Sequence, residues 1–79
     1  MFDHGLLAKV MASVLEVDLA TIDENSSMDN VKSWDSLRQM NLVLALEDSF
    51  GVTIPDEDAA NATSYRLIVL VLEEQLSGA

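Results

Sequence analysis

The chain has 79 residues, 49% of them hydrophobic, and no cysteine, which allows one domain with a single core and excludes a disulfide framework and a thiolate metal site. Its 14 acidic and 4 basic residues give a formal net charge of -10, which disfavours nucleic acid as a partner and favours proteins with basic patches. No apolar stretch approaches the roughly 20 residues that cross a bilayer, and the start of the chain is not basic, so we expect a cytoplasmic protein without a membrane span.

The first predicted helix begins near Leu6, because apolar residues then recur at the three-and-four spacing of one buried stripe. These residues are Leu7, Val10, Met11, Val14 and Leu15. From Asp18 to Asp35 the period is lost, and we predict a long loop. So long a loop in a small domain is usually functional or disordered. Isolated apolar anchors favour function, namely Leu19, Ile22, Met28, Val31 and Trp34.

A second helix is predicted to begin near Ser36 and to end at Gly51, because glycine is a common helix stop. We expect its buried stripe to consist of Leu37, Met40, Val43, Leu46 and Phe50. Residues 52–55 form an extended connector, because the residue before a proline is pushed out of helical conformation. Pro55 then opens a short helical turn through residues 56–58, whose acidic side chains suit a helix start.

The last predicted helix is capped by Thr63 or Ser64 and extends to about Leu76, with Gly78 after its end. We expect its buried stripe to be Tyr65, Ile68, Val69 and Leu72. The apolar run 67–72 would also suit a buried strand, but the capping signal and the polar residues 73–75 extend it to helical length. Leu67, Leu70 and Val71 are left over, and contact with the loop, a cleft for an acyl chain and self-association all stay open for them.

This order of elements predicts an all-α protein, an antiparallel four-helix bundle with three main helices, one short helix and a long loop between the first two. We assign residues 1–79 to this single domain and expect a monomer. No metal site is predicted, because the acidic runs 23–25 and 56–58 lack the Gly and Glu of a calcium loop. His4 has no second His and no Cys to complete a transition-metal site, and we assign it no role.

Ser36 is the main candidate site residue, because it lies where the loop ends and the second helix begins. Backbone N–H groups lack partners there, and the helix dipole favours a phosphate, with Arg38 within reach of it. The alternative is a capping box, in which Ser36 only caps the helix together with Gln39. Both roles can coexist.

The segments around Ser36 resemble the phosphopantetheine-attachment region of the acyl carrier protein family, in its stand-alone form. They are Trp34-Asp35-Ser36-Leu37, the amphipathic run 42–50 that ends in acidic residues and Phe, and Ile54-Pro55-Asp56. The resemblance implies that a phosphopantetheinyl transferase moves the 4'-phosphopantetheine arm from coenzyme A to Ser36, with Asp35, Leu37 and Arg38 beside it. The arm would supply the thiol for acyl thioesters, and the protein would be a carrier without catalytic residues.

The resemblance also implies that partner enzymes bind along the second helix. The corresponding residues here are Leu37, Arg38, Asn41, Leu44, Glu47, Asp48 and, on the short helix, Asp56. Leu44 is offset from the expected buried stripe, so it suits either an apolar contact ringed by charge or a peripheral position in the core. Arg38, Gln39 and Asn41 differ from the more acidic face of fatty-acid carriers, so the pathway stays open between fatty-acid, polyketide and other dedicated biosynthesis.

Three alternatives accompany the acyl carrier. An aminoacyl or peptidyl carrier would use the same serine and arm but serve an adenylating enzyme. An acidic helical adaptor would bind a basic partner and need no cofactor. A hydrolytic enzyme is the least favoured, because His4 is the only conventional base for a serine nucleophile and lies far from Ser36 in sequence.

Overall fold

The computed structural model describes residues 2–77, which are helical apart from the loops and contain no strand longer than an isolated bridge. The helices are α1 (His4–Leu15), α2 (Ser36–Phe50), α3 (Asp56–Asn61) and α4 (Tyr65–Leu76), with a 3-10 turn at Leu19–Thr21. This confirms the predicted helical class and the long loop between the first two helices. Within residues 2–77, every helix is too short or too polar to cross a bilayer.

The three main helices each begin at a capping side chain. The carboxylates of Asp3 and Asp35 and the hydroxyl of Ser64 accept the backbone N–H three residues further along, at 2.9, 2.9 and 3.2 Å. These bonds satisfy N–H groups that have no partner inside the helix. The cap at Ser64 confirms one of the two predicted positions, whereas α1 begins two residues before Leu6 because Asp3 caps it.

Helices α1 and α2 both end in a left-handed residue. Glu16 has φ 57° and Gly51 has φ 66°, and in each case the next amide bonds back to a carbonyl in the last turn of the helix. Glycine adopts this conformation without strain, which explains why Gly51 correctly predicted the end of α2. Gly78, the predicted stop of the last helix, lies outside the described residues.

The core is formed mainly by the inner faces of α1, α2 and α4. Leu7, Met11 and Leu15 of α1 are fully buried, as predicted, and Val10 and Val14 are half-buried beside them. Helices α1 and α2 run antiparallel: the Phe2 ring stacks on Phe50 at one end, with centroids 5.6 Å apart, and Arg38 pairs with Glu16 at the other. Most of the stabilisation comes from this apolar burial.

The predicted stripe of α2 is partly wrong. Leu37 and Met40 are 69% and 67% exposed, whereas Leu42, Leu46 and the polar Gln39 are buried. Val43 and Phe50 are half-buried, as a stripe through Leu46 requires. The error arises because α2 carries apolar residues on two faces, so their period alone does not decide which face is inside.

The long loop is held against the bundle. Ile22 and Trp34 are buried, and Met28 and Val31 are half-buried against the core, which confirms four of the five predicted anchors. Leu19 is wrong as an anchor: it is 49% exposed. A single 3-10 turn can bury few side chains, and Ile22, directly after it, takes the inward position.

The loop also bonds to the chain just before α4. The amide of Met28 donates to the carbonyl of Thr63 at 3.0 Å, and that of Tyr65 donates to the carbonyl of Ser26 at 2.9 Å. These bonds join segments more than thirty residues apart and satisfy backbone groups that neither segment could satisfy alone. The loop therefore holds a defined course up to Trp34 and Asp35.

The single tyrosine provides a test of this packing. Burial, and secondarily the negative charge of Glu24, raises the pKa of Tyr65 above its ordinary value of 10.0. Its hydroxyl lies 2.9 Å from Nδ1 of His4, a structural contact for that histidine. We expect the phenol to titrate at higher pH in the folded than in the urea-unfolded chain, as followed by phenolate absorbance.

The sign of the linked stability follows from the raised pKa. The contribution of Tyr65 to stability is fully present below about pH 10. It decreases between the unfolded-state and the folded-state pKa, where only the unfolded chain ionises, and it is lost once the pH has risen through the folded-state pKa. Replacing Glu24 by Gln should bring the pKa partly back. A folded chain that titrates at or below the unfolded one would contradict the burial of Tyr65.

Candidate functional site

Ser36 is the first residue of α2, and its side chain is exposed. The helix cap is Asp35, whose carboxylate accepts from the Arg38 amide at 2.9 Å and whose carbonyl accepts from the Gln39 amide at 2.8 Å. The capping-box interpretation of Ser36 and Gln39 is therefore wrong, because the cap lies one residue earlier. The Ser36 hydroxyl takes no part in holding the helix start and is open to solvent.

Two amides beside this hydroxyl have no partner inside the helix. Asp35 engages the third and fourth N–H groups of α2, which leaves those of Ser36 and Leu37. The helix dipole adds positive potential at the same end. An anionic phosphodiester on the Ser36 oxygen would thus lie beside two donors and a favourable dipole, so the site fits a phosphate ester chemically.

An open groove of about 670 Å³ begins at Ser36 and lies between α2, α3 and the loop. Its apolar lining consists of Met28, Met40, Val43, Leu44, Ile54, Ala59 and Ala60. Its polar lining, besides Ser36, consists of Gln39, Glu47, Asp56 and Thr63. Such a channel can shield a slender apolar group that extends from the serine.

The groove does not involve the apolar residues of α4 that the sequence left over. Leu67 and Leu70 are exposed and line no part of it. Val71 lines only a cavity of about 10 Å³ against the core side of α2. These residues therefore do not line the groove, although a cleft was one of the three roles left open for them. The sequence alone could not show that α3 and the loop leave a gap beside α2.

The guanidinium of Arg38 bonds to groups other than Ser36. It donates to the carboxylate of Glu16 at 2.8 Å and to the carbonyl of Ser33 at 3.2 Å. These bonds join the end of α1 to the loop and to the start of α2. The ion pair is partly exposed and contributes little to stability. Side chains two apart on a helix do not face each other, which explains why Arg38 bonds to these other groups.

An exposed apolar strip runs along α2, formed by Leu37, Met40 and Leu44, with exposures of 69%, 67% and 62%. Leu44 was predicted as a partner-binding residue, with a peripheral core position as the alternative, and Met40 only as a core residue, whereas Leu37 was predicted in both sets. Their spacing of three and four residues is itself a helical stripe, so the same periodicity could have found this second face.

The polar members of the predicted partner-binding set are spread around this strip. Asn41, Asp48 and Asp56 are exposed. Glu47 is half-buried, and its carboxylate accepts from the backbone amide of Ile54 at 2.7 Å. Glu47 therefore fixes the connector after α2 in addition to contributing negative charge near the groove.

Within residues 2–77, no group of three or more His, Cys, Asp or Glu side chains is placed to hold a metal ion. The acidic runs 23–25 and 56–58 are mostly exposed to solvent. The parts of the site that can bind or bond to a ligand are therefore the Ser36 hydroxyl, the free amides of Ser36 and Leu37, and the groove.

The chain matches a known family model over most of its length. A family model described as the phosphopantetheine attachment site matches residues 5–72, which extend from the first turn of α1 into the last turns of α4. The matched range contains Ser36, the groove and the exposed strip of α2.

Proposed function

Because the chain belongs to the phosphopantetheine-attachment family, whose members carry covalently attached 4'-phosphopantetheine, we propose that Ser36 bears this arm and that the protein is an acyl carrier. The carrier domains of this family are non-catalytic. The observation that supports Ser36 is its exposed hydroxyl at the start of α2, beside two free amides and at the head of an apolar groove.

The residues of the chain have simple tasks in this proposal. The Ser36 oxygen would lose its proton and form the new P–O bond, while a P–O bond of the coenzyme A pyrophosphate breaks and adenosine 3',5'-bisphosphate leaves. The Ser36 and Leu37 amides would stabilise the resulting phosphodiester anion. Asp35 holds the helix start in place through its cap. The arm supplies the thiol that carries acyl groups, since the chain has no cysteine of its own.

The test is intact-mass measurement after incubation with coenzyme A and a broad-specificity phosphopantetheinyl transferase. We expect a mass gain of one phosphopantetheine group per chain, with the peptide that contains Ser36 carrying it. Absence of any gain in a folded sample would contradict the carrier proposal and would favour a cofactor-free acidic adaptor.

The mainly apolar lining of the groove suits an acyl chain of low polarity, because burial of apolar surface is favourable. We therefore place the carrier in fatty-acid, polyketide or another dedicated acyl pathway of the cytoplasm. A loading assay separates this from the aminoacyl alternative. If the arm-bearing protein accepts amino acids from an adenylating enzyme but no fatty or malonyl groups, it is an aminoacyl carrier and the acyl proposal is wrong.

We propose that partner enzymes bind the exposed strip of Leu37, Met40 and Leu44. Negative charge borders this strip toward the end of α2 and on α3, at Asp48 and Asp56. The matching enzyme surface would have an apolar pocket opposite the start of α2, near Ser36, and basic residues opposite Asp48 and Asp56. Arg38 and Asn41 would lie at the rim of this contact.

This charge distribution predicts a salt-dependent encounter. With the transferase as partner, we expect Asp48→Asn to raise KM about two- to fivefold at low ionic strength, because a rim charge mainly affects the association rate. The difference should shrink near 1 M salt, where the screening length falls to about 3 Å. The matched control is Glu74→Gln, which removes the same charge from the exposed side of α4. Equal effects of both variants would indicate that only net charge matters.

A further inference from the structure

A buried glutamine joins three parts of the chain near the head of the groove. Ser26 and Gln39 are the two polar residues within 2–77 that are buried as whole residues, with exposures of 4% and 8%. The carboxamide oxygen of Gln39 accepts from the indole N–H of Trp34 at 2.7 Å. Its nitrogen donates to the carbonyls of Ala59 and Ala62, both at 2.9 Å.

The chemistry of these partners fixes the orientation of the amide. An indole N–H can only donate, and backbone carbonyls can only accept. The oxygen of Gln39 must therefore face Trp34, and its nitrogen must face α3. The position requires one acceptor and two donors on a single long side chain, which glutamine provides.

Helix α3 needs such a partner because it cannot hold its own ends. It has six residues, and no side chain caps its start at Pro55. A helix this short is unstable in isolation. No N–H group within the helix donates to its last carbonyls, so these need donors from elsewhere. Ala59 lies in the second half of α3, and Ala62 is the residue that ends it. Both carbonyls are bonded to Gln39.

We propose that Gln39 is a positioning residue that caps the end of α3 and so fixes the wall of the groove beside Ser36. Helix α3 supplies Asp56, Ala59 and Ala60 to this wall. Trp34, two residues before Ser36, holds the amide in register with the end of the loop. The cap follows from geometry; only the use of the groove by the arm and its acyl group rests on the proposed function.

The test compares Gln39→Glu with Gln75→Glu, the same substitution at the other glutamine of the chain. Glutamate at position 39 keeps the size but loses both donors and sets oxygen against the α3 carbonyls. We expect amide hydrogen exchange at residues 59–62 to accelerate roughly tenfold or more relative to amides in the middle of α1. Gln75→Glu should leave this ratio unchanged.

Exchange that rises evenly throughout the chain, or an unchanged ratio, would overturn the proposal. If Gln39→Glu fails to fold, Gln39→Met decides the question, because methionine has similar volume and no donors. For that variant the same local acceleration at residues 59–62 is expected, and a uniform or absent change again overturns the cap.

The exchange measurements use the chain before any arm is attached, so they do not depend on the carrier function. A wild-type chain that takes no arm would contradict the proposed function and leave the cap intact. A wild-type chain that takes the arm, combined with an unaffected α3 in the Gln39 variants, would overturn the cap alone.

Discussion

Replacing Ser36 by alanine is expected to abolish attachment of the phosphopantetheine arm while changing the free energy of unfolding by less than about 0.5 kcal/mol. The attachment is lost because the esterified oxygen is removed. Stability is kept because Ser36 is exposed, the helix cap is Asp35, and alanine is a favourable helix residue. Intact mass and urea unfolding measure the two effects on the same samples.

The matched control is Ser49→Ala, which removes an exposed hydroxyl from the last turn of the same helix and should retain the full mass gain. Ser33 is the nearest other serine, but its hydroxyl oxygen is buried and makes no hydrogen bond within the described residues. A full mass gain on Ser36→Ala would therefore show that the arm is attached elsewhere and would contradict the assignment of the site.

Leu42→Ala and Leu44→Ala should have opposite consequences, although the two leucines are neighbours on α2. Leu42 is 0% exposed in the core, and its truncation should lower the free energy of unfolding by about 2–5 kcal/mol. Leu44 is 62% exposed, and its truncation should change stability by less than about 0.5 kcal/mol. The fluorescence of the single tryptophan, Trp34, which is 2% exposed, reports unfolding in both.

Partner binding should show the reverse order. We expect Leu44→Ala to lower the transferase kcat/KM roughly tenfold, because it removes an apolar contact from the centre of the proposed interface. Leu42→Ala should leave kcat/KM of the folded fraction nearly unchanged. Equal stability losses in both variants would contradict the burial of Leu42 and the exposure of Leu44 on α2. An unaffected kcat/KM in Leu44→Ala would contradict the proposed partner surface.

Local sequence signals were sufficient for most of the secondary structure. Gly51 ended α2, Ser64 capped α4, and Pro55 preceded the short helix, because each signal acts on backbone groups within about four residues of itself. The same local chemistry placed Ser36 at the exposed start of a helix. The resemblance of the surrounding segments led us to propose this serine as the attachment residue, and the family match shows that the chain belongs to the phosphopantetheine-attachment family.

The burial pattern of α2 was beyond the reach of its own sequence. Leu37 and Met40 are as apolar as Leu42 and Leu46, and only the positions of α1 and α4 decide which pair is inside. Gln39 appears unsuitable for a core when taken alone. It is buried because Trp34 and the end of α3 supply partners for every polar atom of its amide that faces inward.

By itself, then, the sequence determined the four helices, both ends of α2, the start of α4 and the serine that opens α2, since these depend on neighbours along the chain. Only the tertiary structure decided the groove beside Ser36, the pairing of Arg38 with Glu16 and the link from Gln39 to α3. Those features join residues about twenty positions apart, and the free energy of such contacts depends on how separate segments pack together, which no local pattern contains.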